Sequence, residues 1–96
     1  MDEVLKKEVL SMSRIAHQLT ESSYQTNLSK SGDSGWAEKQ RILLADMALH
    51  LLQTALTEGE LSEENLKRNL FSILTISEQF IHGKGLKIFA DELYSS

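Results

Sequence analysis

The stretch WAEKQRILLADMALHLLQTALT, residues 36–57, decides the fold. Plotted at 100° per residue, its Ala, Ile, Leu and Met side chains from Ala37 to Leu56 spread over an arc of about 220°, and Lys39, Asp46, His50 and Gln53 hold the remaining polar strip. One neighbouring helix covers a stripe of only about 100°. A helix this broadly apolar therefore needs partners on two sides, and in a chain of 96 residues one of them can be a second copy of the protein. Ile42, Ala45, Leu49, Leu52 and Leu56 are the candidate dimer or partner interface, and the polar strip is expected to face solvent.

Working outward, the residues from Glu3 to Glu21 place Leu5, Val9, Met12, Ala16 and Leu19 at steps of four and three. This is one face of a helix, as narrow as a coiled-coil seam. Residues 22–35, SSYQTNLSKSGDSG, have no period and are dense in Ser, Gly and Asn, which predicts a linker unless the first helix runs on into it. Downstream, Gly59 is placed to end the second helix as a C′ glycine. Ser62 caps a third helix with Glu63 and Glu64 in its first turn, and Leu61 and Leu66 stand at the staple positions. Leu66, Leu70, Ile73, Leu74, Ile76, Phe80 and Ile81 line one face of that helix. Gly83 and Gly85 break it, and Leu86, Phe89, Ala90 and Leu93 predict a short last helix.

The chain has no proline and only 6% aromatic residues, so propensity favours helix over strand throughout. The expected fold is all-α: one domain over 1–96, a small bundle of three long helices plus a short C-terminal helix, paired as a homodimer.

Several functional classes can be weighed and set aside. Gly32-Asp33-Ser34-Gly35 matches the string around the nucleophile of chymotrypsin-like proteases. A triad also needs a His and an Asp held by a rigid scaffold, with an oxyanion hole, and no sheet is in prospect. Ser34 is therefore expected in a turn. Cysteine is absent, which excludes disulfides, thiolate metal sites and thiol catalysis. His17, His50 and His82 fall in separate helical segments, and only Asp46 and His50 share helical spacing. No catalytic, cofactor-binding or metal-ligating set is assigned, and no cofactor is expected. Gly83-Lys84-Gly85 lacks the spacing of a P-loop and reads as a turn and helix cap.

The net charge of −4 argues against a partner held by phosphate charge. The turn Thr57-Glu58-Gly59-Glu60 has the look of a helix-turn-helix connection, but Glu60, Glu63 and Glu64 would meet the groove with the wrong sign. A DNA-binding regulator is thus the third choice. The acidic N-terminus resembles no secretory signal, and the longest aliphatic run, from Ile42 to Ala45, is too short for a membrane span. A soluble cytoplasmic protein with no membrane association is expected.

The segment 64–78, ENLKRNLFSILTISE, preceded by Glu58-Gly59-Glu60, resembles the C-terminal half of the YmgB/AriR family of small bacterial connector proteins. The resemblance covers residues 37–81 and rests on the turn with Gly followed by an acid and on Leu and Ile at steps of three and four. It implies an all-α dimer, linked to biofilm and stress regulation, that binds a signalling protein such as the sensor kinase of an envelope-stress phosphorelay. The longer first helix and linker, and the break at Gly83-Lys84-Gly85, depart from the family pattern. The sequence thus points to a non-enzymatic regulatory module that works through a protein partner. The alternative is a dedicated binder of one target, such as a bacteriocin immunity protein or a secretion chaperone.

Overall fold

The computed structural model of the protein describes residues 1–95 and contains four helices, α1 (Glu3–Thr26), α2 (Trp36–Leu56), α3 (Glu63–Ser77) and α4 (Leu86–Glu92). No strand occurs among the described residues. The fold is all-α, with three long helices and a short C-terminal one.

Local chemistry sets the boundaries. The Asp2 carboxylate caps α1 by accepting from the Val4 amide at 2.8 Å. At its other end α1 extends beyond Glu21 and absorbs residues 22–26 of the expected linker. There the Thr26 hydroxyl donates to the Ser22 and Ser23 carbonyls at 3.0 and 3.2 Å, so a polar side chain is satisfied by its own helix. The connection to α2 is thus 27–35. Ser62 caps α3 as expected, its hydroxyl accepting from the Asn65 amide at 3.1 Å.

Two expectations need correction. Gly59 does take a positive φ of 90°, but α2 already ends at Leu56 on the extended Thr57, so the glycine shapes the connection and not the helix end. Helix α3 stops at Ser77, whose carbonyl accepts from the amides of Phe80 and Ile81. Phe80 and Ile81, assigned to the α3 face, lie exposed in the turn that follows.

Helices meet only their neighbours in the chain: α1 packs on α2, α2 on α3 and α3 on α4, and no other pair is in contact among the described residues. This serial bundle is open and flat, 44 × 37 × 16 Å. Its radius of gyration is 15.1 Å, against about 12.5 Å for a compact domain of this length. Among the described residues Leu10, Ile76 and Ala90 are the buried apolar ones, and no large side chain is fully enclosed. The α3–α4 seam closes on Ala90, with Phe71 packed edge-on to Tyr94 at 5.5 Å and Lys87 over the Phe71 ring at 4.4 Å.

Candidate functional site

The seam between α1 and α2 is largely polar, with Leu10 its buried apolar residue on α1. Lys39 Nζ sits 4.7 Å from the centre of the Tyr24 ring. Asp46 Oδ1 is 2.6 Å from His17 Nδ1 and accepts from the Thr20 hydroxyl at 2.6 Å. The His50 ring meets the His17 ring edge-on at 4.6 Å, and Gln53 Nε2 donates to the Ser13 hydroxyl at 3.3 Å. Partners descend along α1 as they ascend along α2, so the two helices are antiparallel.

This overturns one expectation: Lys39, Asp46, His50 and Gln53 do not form a solvated strip but face α1, and Asp46 is only 6% exposed. The reason lies in α1, where Ser13, His17, Thr20 and Tyr24 recur at helical spacing and offer a complementary polar stripe.

With the polar stripes paired, the apolar stripes of both helices come together on an open face. Val9, Met12 and Ala16 line a groove of about 310 Å³ with Leu49 and Leu52. Toward the other end of α2, Leu19 stands beside Ile42 and Ala45, flanked by Glu38 and Arg41. Of the residues singled out as interface, Ala45 is exposed and Ile42, Leu49, Leu52 and Leu56 are half-buried. On α1, Met12 is 69% and Leu19 66% exposed. Glu38 and Arg41 give the face a polar margin at its Ile42 end.

The geometry around Asp46 is the feature that sequence reasoning missed. His50 Nε2 lies 3.4 Å from Asp46 Oδ2, and the second ring nitrogen of His17, Nε2, lies 3.2 Å from Glu21 Oε2. Both nitrogens of His17 therefore face carboxylate oxygens. A neutral imidazole carries a single N–H, so it can donate to only one of them. The other contact needs a second proton or another cation. The signal was present in the two complementary polar stripes, but it becomes visible only once α1 and α2 are set in register.

Other candidates resolve as local structure. Ser34 is exposed in a turn built by Asp33, whose carboxylate accepts from the Lys30 amide at 2.7 Å. Gly83 and Gly85 take φ values of 75° and 67°, and Gly85 opens α4 with its carbonyl accepting from the Phe89 amide. Lys67 and Arg68 are each paired with an acid one turn earlier, Glu63 at 3.6 Å and Glu64 at 4.0 Å, which cancels the basic patch a recognition helix would need. No helix among the described residues is long and apolar enough to cross a membrane.

Comparison with known proteins adds no relative: no family model, no curated protein and no solved structure matches the chain.

Proposed function

We propose that the protein is a non-enzymatic, cytoplasmic interaction module that acts as a helical homodimer through the apolar α1/α2 face and, in that form, binds a regulatory or signalling partner. The observation that carries this reading is uncovered area. The chain exposes 6745 Å², roughly 1,200 Å² more than the ~5,500 Å² typical of a folded monomer of its mass. A standard interface takes about 800 Å² from each partner. The excess is thus large enough for a stable self-association, and the continuous groove of Val9, Met12, Ala16, Leu49 and Leu52 supplies the apolar centre such an interface requires. Glu38 and Arg41 add a charged margin at one end. The resemblance of residues 37–81 to connector proteins agrees with a dimer that serves a signalling partner.

Light scattering across a dilution series tests the proposal. Twice the chain mass is expected for the wild type, and a folded chain of single mass for Leu49→Glu/Leu56→Glu and for Met12→Glu, which alters a side chain exposed in the isolated chain. A wild type of single mass at every concentration would overturn the dimer. The groove would then serve a different protein, as in a dedicated binder of one target.

A further inference from the structure

We propose that His17, Asp46 and His50 form a binding site for one divalent transition-metal ion of the zinc type, set across the α1–α2 seam. Their candidate ligand atoms all lie within 4.8 Å of one another. Two ligands on a tetrahedral zinc, at bonds of about 2.0–2.2 Å, stand about 3.4 Å apart. Gathering the three around an ion thus needs movement of at most about 1.4 Å along the longest edge, within reach of side-chain rotation. Two imidazole nitrogens and a carboxylate oxygen are a donor set that zinc accepts, with a fourth position left to water.

Charge points the same way. The Asp46 side chain is 9% exposed, and its ion-pair partners among the described residues are His17 and His50, with no Lys or Arg in reach. A buried carboxylate without a full countercharge is costly, and a divalent ion supplies one. The surroundings also orient the ligands. Glu21 can take the Nε2 proton of His17, which leaves the Nδ1 lone pair directed at the seam, and the Thr20 hydroxyl holds Asp46. Carboxylate and hydroxyl groups in this position fix the tautomer and rotamer of metal ligands. His50 also borders a polar cleft of about 390 Å³, shared with Gln53, Thr54 and Asn69, through which solvent reaches the edge of the trio.

Bound there, the ion would clamp α1 to α2, the one helix that α1 touches. All three ligands belong to one chain, so the site is independent of the dimer.

The test is calorimetric titration of chelator-stripped, full-length protein with zinc chloride, paired with thermal melts. One ion per chain is expected, with micromolar or tighter affinity, and a rise in Tm of about 10 °C or more at zinc a hundredfold above Kd. His50→Ala removes a ligand whose side chain is 39% exposed, so the fold should tolerate it, and affinity should fall at least tenfold. Asp46→Asn should do the same, whereas His82→Ala, altering the exposed histidine beyond α3, should bind as the wild type does. Absence of saturable binding would overturn the site and leave the trio as a hydrogen-bond network. So would binding that survives both His50→Ala and Asp46→Asn, or binding that is lost in His82→Ala.

Discussion

Asp46 is the residue on which the α1–α2 seam turns. It accepts from Thr20, contacts both histidines and lies nearly out of solvent, so truncating it strands three polar partners at once. Asp46→Ala should lower stability by about 2–3 kcal/mol in urea denaturation followed by circular dichroism. Replacing the set together, with Asp46→Leu, His17→Leu and Thr20→Val, should recover much of that loss, because a buried polar network can often be exchanged for well-packed apolar groups. A triple variant weaker than the single one would show that the seam depends on polarity itself. The sequence displayed the pieces of this cluster but not their meeting. Asp46 and His50 are a helical pair within α2, while His17 stands on another helix beyond the 27–35 connection, and no linear spacing expresses the register that joins them.

At the level of the element, the sequence was far more informative. The breadth of the apolar arc in 36–57, the Ser62 cap and the glycine break before α4 follow from local rules, and each corresponds to a feature of the structure. Where the reading failed, a local alternative won. Residues 22–26 looked like linker because they lack an apolar period and open a stretch dense in Ser, Gly and Asn, yet the Thr26 hydroxyl bonds back to the preceding turn and the helix continues. Phe80 and Ile81 continued the apolar period of α3, but period alone does not register a chain that has already turned. Ser62→Ala should cost about 1 kcal/mol by removing the acceptor for the Asn65 amide, and Ser62→Asp should retain most of that stability. Equal midpoints for all three proteins in chemical denaturation would show that the cap is dispensable.

On the scale of the whole molecule, the proposed dimer would make stability a matter of concentration. If two chains cover each other's α1/α2 groove, folding and association share one equilibrium, and the thermal midpoint must rise with protein concentration. Melts spanning a hundredfold in concentration should show that rise in the wild type and none in Leu49→Glu/Leu56→Glu. A wild-type midpoint that stays constant would mean that the open bundle is self-sufficient. What the sequence showed of this face was the breadth of the α2 arc, and in the structure Ile42, Ala45, Leu49 and Leu52 line the open side of α1 and α2. The sequence did not disclose which stripe of α1 faced inward. An apolar seam is the natural choice for an internal contact, but here the polar stripe takes it and the apolar one is left outside.

The serial order of the helices also restricts how the two ends of the chain can sense each other. Helix α1 reaches α4 only through α2 and then α3, with no shortcut across the array. Any event registered at α1, whether an ion captured or a surface covered, can be transmitted to the C-terminal helix only as a change in the pose of α2. That helix is therefore a relay with a single line in and a single line out, and a substitution that loosens its hold on α3 would uncouple α1 from α4.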